Sequence, residues 1–463
     1  MQNLFLELSS LDQRCYREFG LSEDLLMEHA AEGMNQYIRT HLVNNSTISI
    51  VCGSGNNGAD GLALARLLHG DYRVTVILPF GANSSMAQRQ LQRNTKLGIT
   101  IQTHFTSSEV IVDALYGSGL SRTLETPALT LIEAMNNTKG FKIACDIPSG
   151  LMLDGTLQNS CFVADVTLSM GALKRGFYSD NAKDFVGQVS VINLGVTRTI
   201  YEASTSWKLL EKSDMQLPHR HSHNTHKGSF GHLSVICGEK EGAAIISGSS
   251  ALRFGAGLVT LISNENVTLP YELMQSHLLP NNTSAIALGM GLGQEFSESE
   301  LLTLLDNELP LILDADIFTH PLFKTLLQRE QLVITPHPKE FIVILKTLNL
   351  ADISIETLQK ARFKYVELFT NAYPNVVLLL KGTNVIITYQ QLFYINSHGT
   401  NILAKGGSGD VLTGLIGALL AQGKSPLEAT INASLAHTSA AQKITKNNYA
   451  LTPSDLIESI TTL

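Results

Sequence analysis

The run Ala404-Lys405-Gly406-Gly407-Ser408-Gly409-Asp410 leads directly into a strongly apolar helical stretch, Val411–Ala421. Flexible glycines at a helix start free backbone N–H groups, and these form an anion-binding hollow. A carboxylate inside such a hollow repels phosphate, so phosphate binding alone does not account for Asp410. A base that deprotonates an attacking hydroxyl does account for it. The competing structural role is an acidic residue favoured by the helix dipole. The chain contains no GxxxxGK[ST] sequence, so the loop is not of the Walker type.

A second glycine loop, Gly53-Ser54-Gly55-Asn56-Asn57-Gly58, follows a strand-like run and opens a helix. It matches a dinucleotide fingerprint. That fingerprint also needs an acidic residue at the end of the next strand to hold the ribose. The strand here ends Ile77-Leu78-Pro79-Phe80-Gly81 without a carboxylate, which argues against a dehydrogenase. Asn56, Asn57 and Asp60 instead place two amides and a carboxylate at the helix entrance. Asp113, in VIVDALYGSG, and Asp146, in IACDIPSG, come after apolar runs and before glycine turns. A lone Asp there is usually a helix cap. Three polar, Gly-rich strand ends together point to a ligand edge of an open α/β sheet.

Both groups of residues require parallel strands with helical crossovers. Continuous apolar runs suit strands covered on both faces. In the first half these are Thr47–Cys52, Tyr72–Leu78, Ile99–His104, Val110–Ala114, Phe141–Cys145, Asp165–Met170 and Gln188–Leu194. Helices are expected at Ser22–His41 (N-cap Ser22), Gly58–Gly70, Ser84–Leu97 and Pro127–Asn137. In the second half strands are expected at His232–Cys237, Leu258–Ser263, Ala285–Leu288, Leu311–Leu313, Leu332–Thr335 and Val376–Tyr389. Helices are expected at Val411–Ala421, Leu427–Lys443 and Ser454–Ile460.

With 463 residues, 44% hydrophobic and 16% charged, the chain has room for two or three globular cores and is not a disordered composition. A net charge of −8 argues against a nucleic-acid or anionic-membrane binder. No apolar run reaches the length of a membrane span, and the N-terminus lacks signal-peptide character. Five scattered cysteines without a CxxC pair fit a reducing, cytoplasmic setting. The polar segment 216–225 reads as a linker between a domain at 1–215 and another at 226–463. His219, His221, His223 and His226 crowd there without helical pairing or partner cysteines, and solvated linker is preferred over a metal site.

Leu26–Ala30 (LMEHA), GSGNNGADG, VDALYGSGL and DIPSG resemble the N-terminal epimerase domain of the bifunctional NAD(P)H-hydrate repair enzymes. The resemblance implies a Rossmann-like three-layer domain. It places the hydrated nicotinamide nucleotide on Asn56, Asn57, Gly58, Ala59, Asp60, on Gly117, Ser118, Gly119, Leu120, Ser121, Arg122 and Thr123, and on Asp146, with Asp146 also a candidate catalyst. It places a potassium ion on Asn57, Asp113 and Ser149, oxygen ligands suited to a hard cation. Ala59 departs from the family's usual glycine.

HKGSFGHLSVICG, LRFGAGLVT, LGMGLG, LDAD, TPHPKE, LLKGTNVII and KGGSGDVLTG resemble, in family order, the ribokinase-like ADP/ATP-dependent dehydratase domain of the same enzymes. By that resemblance Ala243, Gly291, His337 and Asp410 contact substrate, and Asp410 is the catalytic base. Lys381, Gly382, Thr383, Asn384 and Val385 with Gly406, Gly407, Ser408 and Gly409 take the adenine nucleotide, ADP or ATP with Mg2+. Met290, Lys339 and the Ala404–Asp410 run depart from the usual family spelling. The expected partners are hydrated NADH or NADPH and the nucleotide, with neither nucleic acid nor membrane, and a homo-oligomer is expected. A ribokinase-like small-molecule kinase with an accessory N-terminal domain is the alternative reading. A non-catalytic scaffold is a third, disfavoured by Asp113, Asp146 and Ser149.

Overall fold

The computed structural model describes residues 1–463, which fall into two compact units: Asn3–Trp207, and Lys208–Leu463 together with Met1–Gln2. In the first unit the apolar runs become β1 (Thr47–Cys52), β2 (Arg73–Ile77), β3 (Thr100–Gln102), β4 (Val110–Ala114), β5 (Phe141–Cys145), β6 (Val166–Met170) and β7 (Gln188–Ile192). All pair in parallel, in the order β3-β2-β1-β4-β5-β6-β7. Parallel neighbours need long crossovers. The helices α1 (Ser9–Glu18), α2 (Glu23–His41), α3 (Asn56–Leu68), α4 (Ser85–Lys96) and α5 (Thr126–Asn137) precede the sheet or connect its strands. Ser22 caps α2 by accepting from the Leu25 N–H at 3.2 Å, and Ser84 caps α4 in the same way.

Side chains alternate across a strand, so one strand feeds two cores. Ile48, Ile50 and Cys52 of β1 pack with Met34, Ile38, Leu62 and Ala65 on one face. Val51, Ile77, Ile111 and Ala144 pack with Ala128, Ile132 and Met135 on the other. The result is the Rossmann-like three-layer architecture. The strand order reverses between β1 and β4, and a crevice at the strands' carboxyl ends is the usual ligand position in such sheets.

The second unit is also α/β. Its strands are β8 (His232–Ile236), β9 (Leu258–Ile262), β10 (Met274–Ser276), β11 (Ala285–Leu288), β12 (Leu311–Leu313), β13 (Leu332–Ile334), β14 (Val376–Leu380), β15 (Val385–Tyr389) and β16 (Leu392–Asn396). They run β10-β9-β8-β11-β12-β13-β14-β15-β16, parallel as far as β14 and antiparallel beyond it. Apolar helices α6 (Glu241–Arg253), α9 (Ser408–Ala421), α10 (Pro426–Lys443) and α11 (Pro453–Ile460) share one core with the strands. Two further helices of this unit are α7 (Pro338–Thr347) and α8 (Arg362–Ala372).

The single strand expected over Val376–Tyr389 is instead a hairpin. Leu380 pairs with Ile386 across a turn at Lys381-Gly382-Thr383-Asn384. The buried Arg362 pins that turn by donating to the carbonyls of Lys381 (3.0 Å) and Asn384 (3.1 Å). The units divide between Trp207 and Lys208. Leu210 is fully buried in the second core and its N–H donates to the Ile395 carbonyl at 2.8 Å, which ties this stretch to the second unit. Residues 216–225 form neither helix nor strand; His219, His221, His223 and His226 are exposed, and His226 caps the turn Lys227–Phe230. No helix is long and apolar enough to cross a membrane.

Candidate active sites

The loops after β1 and β4, with α1 and α2, enclose a cavity of about 520 Å3. Asn56, Asn57, Asp60, Gly117, Ser118, Gly119, Leu120, Ser121, Arg122 and Asp146 all line it. Gly58, Ala59 and Thr123 do not. Gly58 shapes the loop instead: a Cβ there would lie 1.8 Å from the Gly53 carbonyl oxygen. Ala59 is fully buried in the core beneath, so its methyl group occupies helix packing space rather than the cavity.

Asp146 follows β5 with φ +67, a left-handed conformation uncommon outside glycine but tolerated by Asp. Its Oδ1 accepts from Lys174 Nζ at 2.5 Å and from the Met170 N–H at 3.3 Å; its Oδ2 accepts from the Ser118 N–H at 3.2 Å. Lys174 is fully buried and also donates to Ser169 Oγ at 2.9 Å. This buried ion pair was not legible in the sequence, where a lysine within GALKRG reads as surface.

Three other carboxylates, Asp12, Glu23 and Asp60, line the same cavity. Asp60 sits in the first turns of α3 with its carboxyl pushed well above the ordinary range, first by burial and then by the charges of Asp146, Asp12 and Glu23. Asp12, on α1, is also raised, first by burial; the Tyr201 hydroxyl, which donates to its Oδ1 at 2.8 Å, opposes this. Asp12 and Tyr201 line the cavity and were not anticipated from sequence, because they lie far from every glycine loop.

Asp113 lies within β4, not beyond its end, and is fully buried. Its Oδ1 accepts from Ser149 Oγ (2.7 Å) and the Leu115 N–H (3.1 Å), and its Oδ2 from the Ser149 N–H (2.7 Å). Burial pushes its carboxyl up to about 6 against the pull of these bonds. The Asn57 carboxamide has both polar atoms buried without a partner, against the backbone at Gly117. Such orphaned groups are rare in folded proteins and mark a place for an ion or water.

In the second unit the parallel register aligns the carboxyl ends of β11, β12, β13 and β14. Gly289, Asp314, Thr335 and Lys381 therefore follow their strands at one edge. Asp314 is nearly fully buried; its Oδ1 accepts from Lys381 Nζ at 2.6 Å and its Oδ2 from Thr413 Oγ1 at 2.9 Å. Asp410 occupies the first turn of α9, after Gly407 with φ +86. Its carboxyl is pushed up to about 6, first by burial and then by Asp314, with Lys381 opposing. Lys381 Nζ lies 3.2 Å from the Cβ position at Gly409.

His337 caps α7, its Nδ1 accepting from the N–H groups of Lys339 and Glu340. Burial and then Lys381 hold its imidazole below the usual range. Ser408 is buried against His437, whose Nε2 lies 3.0 Å from the Ser408 carbonyl oxygen. Gly291, with φ +64, packs on Lys240, whose N–H donates to the Gly291 carbonyl while its own carbonyl accepts from Ala243. Gly382 and Thr383 are exposed at the hairpin tip, Asn384 is buried, and Gly406 is exposed ahead of α9. Asp314, within LDAD, is not among the residues expected from sequence; its position directly after an apolar strand is the signal for it.

The family described as YjeF-related protein N-terminus matches residues 23–176, and that described as NAD(P)H-hydrate dehydratase matches residues 233–462. The bifunctional NAD(P)H-hydrate repair enzyme Nnr of Helicobacter pylori is 42% identical over 474 residues, covering 99% of each chain. That of Coxiella burnetii is 34% identical, covering 93% of this chain and 92% of its own. The chain belongs to the bifunctional NAD(P)H-hydrate repair enzyme family. A solved ADP/ATP-dependent NAD(P)H-hydrate dehydratase from Bacillus subtilis, co-crystallised with ATP and Mg2+, is 27% identical. It covers 55% of this chain and 96% of its own, with a TM-score of 0.48.

The departures from the repair-enzyme motifs lie in the core and on the surface. Met290 is fully buried in the second core, and Lys339 is exposed on the first turn of α7. Lys405 reaches the Tyr449 carbonyl at 3.0 Å on the surface.

Proposed function

We propose that the chain repairs hydrated NADH and NADPH in two steps. The first unit interconverts the epimers of the hydrate, and the second returns one epimer, the S form, to the reduced cofactor with ADP or ATP. The observation that carries the second step is Asp410: a carboxylate raised to about 6, in a glycine-led helix start, beside the Lys381–Asp314 pair.

The hydrate bears a hydroxyl on the ring carbon bonded to the ring nitrogen. Hydroxide is a poor leaving group, and phosphorylation converts it into a good one. Asp410 takes the hydroxyl proton as the oxygen attacks the terminal phosphoryl group. Amides at the start of α9 and the Lys381 ammonium stabilise charge on the transferred group. The ring nitrogen then expels phosphate, and loss of a proton from the neighbouring carbon restores the reduced ring. Magnesium, when bound with the nucleotide, neutralises phosphate charge.

In the first unit the cavity holds the nicotinamide end of the hydrate among Asn56, Asp60 and Asp146, with the Gly117–Thr123 loop over it. The Lys174–Asp146 pair is a proton-handling centre at the sheet edge. Asn57, Asp113 and Ser149 would hold potassium, for which the unpartnered Asn57 amide and the buried Asp113 carboxylate are suited. The ion, when bound, supplies positive charge beneath the cavity. The two units are expected to act separately, with Asp410 serving only dehydration. The test is to incubate hydrated NADH with the full chain, with and without ADP or ATP. Nucleotide-dependent recovery of the dihydronicotinamide absorbance from both epimers is expected. Phosphorylated hydrate accumulating without recovery would point to a small-molecule kinase instead.

A further inference from the structure

Inverting the hydroxyl-bearing carbon requires one group to take a proton and another to give one. Lys174 and Asp146 form one such centre, but it is heavily committed: Asp146 accepts from Lys174, Met170 and Ser118. A second centre lies in the same cavity and comes from different elements. Asp12 lies on α1, and Tyr201 comes from the short helix Arg198–Tyr201. The Tyr201 hydroxyl donates to Asp12 Oδ1 at 2.8 Å, and no protein group donates to the other carboxylate oxygen.

The arrangement is built rather than incidental. Tyr201 is 1% exposed, and its ring packs so closely on Gly171 that a Cβ there would lie 2.4 Å from it. Arg14, on the same helix as Asp12, donates to the carbonyls of Ile200 (2.6 Å) and Tyr201 (2.5 Å). Helix α1 is thus clamped to the segment that carries Tyr201, and Asp12 is fixed at the cavity wall. Burial raises the Asp12 carboxyl, which strengthens it as a base.

We propose that Asp12, held in place by Tyr201, is the base that accepts the hydroxyl proton of the hydrated ring, with the Lys174–Asp146 pair as its proton-giving counterpart. This rests on the epimerase reading above. Asp12 removes the O–H proton, and that electron pair becomes the second bond of a carbonyl group. The carbon–nitrogen bond breaks, its pair goes to the ring nitrogen, and the nitrogen takes a proton through Asp146, made good from Lys174. The aldehyde turns its other face. The nitrogen re-attacks and returns its proton to the pair, and the oxygen recovers the proton on Asp12. No proton or electron is gained or lost. In these terms Asp12 is a catalytic residue and Tyr201 a positioning residue.

The test compares full-length wild type, Asp12→Asn and Tyr201→Phe, following both epimers by chromatography, with nucleotide-dependent dehydration of the usable epimer as control. Asp12→Asn is expected to lower the kcat of exchange about 100-fold with KM within about threefold, as loss of a general base does. Tyr201→Phe removes one oxygen atom and is expected to lower kcat about tenfold, since it removes the donor that orients the base. It also keeps the test open if Asp12→Asn does not fold. Exchange within about fivefold of wild type in Asp12→Asn, or a raised KM at unchanged kcat in both variants, overturns the proposal. Wild type that exchanges no epimers refutes the epimerase reading itself, a separate outcome.

Discussion

Replacing Asp410 by Asn should abolish dehydration and at the same time stabilise the second unit. The Asp410 carboxyl is raised from an ordinary 3.8 to about 6, mainly by burial and secondarily by Asp314. A shift of about two units corresponds to roughly 3 kcal/mol between the protonation states, an upper figure because the group keeps some solvent contact. The folded state therefore holds this proton more tightly than the unfolded chain. The resulting cost is absent below the unfolded value, grows as pH rises from about 4 to about 6, and is fully present at pH 7. Asn carries no charge to desolvate and removes that cost. Amide exchange in Ser408–Ala421 should slow by roughly one to two orders of magnitude at pH 7 in the variant, and by little near pH 4. Wild-type dehydration should rise about tenfold between pH 5 and pH 7, as a base with this value ionises, while the variant loses roughly 100-fold or more. Epimer exchange should persist. An Asn variant no more stable than wild type at pH 7, or one that still dehydrates at a near-normal rate, would refute the account of Asp410 as a desolvated base.

The remaining expectations concern the first unit. Lys174→Met leaves Asp146 buried without its cation and should cost about 3–5 kcal/mol in that unit, read by denaturant unfolding followed through Trp207, while Lys174→Met with Asp146→Asn should recover much of it. Asn57→Ala should reduce the difference in exchange rate between potassium and sodium buffers while leaving dehydration unchanged; an undiminished difference would remove Asn57 from the ion site. Ala59→Gly should cost only about 1 kcal/mol through helix entropy and leave exchange intact, because its methyl group does not reach the cavity, whereas Gly58→Ala should prevent a soluble first unit, its Cβ meeting the Gly53 carbonyl at 1.8 Å.

What could be read from sequence here was whatever a parallel sheet writes locally. A strand buried on both faces is a continuous apolar run, and its ligand edge is the turn that follows, so β1 with Asn56–Asp60 and β5 with Asp146 were legible as short contiguous segments. Val110–Ala114, Phe141–Cys145, Ala285–Leu288 and Leu311–Leu313 are recovered residue for residue for the same reason. Helix α9 announced itself because its glycine start and all-apolar face lie side by side in the chain. The hairpin of β14 and β15 was misread because both arms are apolar and the turn between them, Lys381-Gly382-Thr383-Asn384, is only four residues long; Gly and Asn there were the turn signal.

The groups that escaped sequence reading are defined by partners brought close only by folding. Lys174 is fully buried because Asp146, 28 residues earlier, compensates its charge; no window around either residue contains that fact. Asp12 and Tyr201 are 189 residues apart and meet because α1 and the Arg198–Tyr201 turn close the same wall. Asp314 and Lys381 are 67 residues apart and follow β12 and β14, two strands separated by β13 in the sheet. In each pair the burial of a charge is the signature, and burial belongs to the tertiary structure. The glycine loops therefore mark the region of each candidate site, while the groups that surround its carboxylates, Lys174 and Tyr201 in one unit and Asp314 and Lys381 in the other, come from elsewhere in the chain. Substitutions at these partners should alter proton affinity at Asp12 or Asp410 while leaving the loop motifs untouched. Family likeness in the motifs alone thus does not determine the pH response of either step.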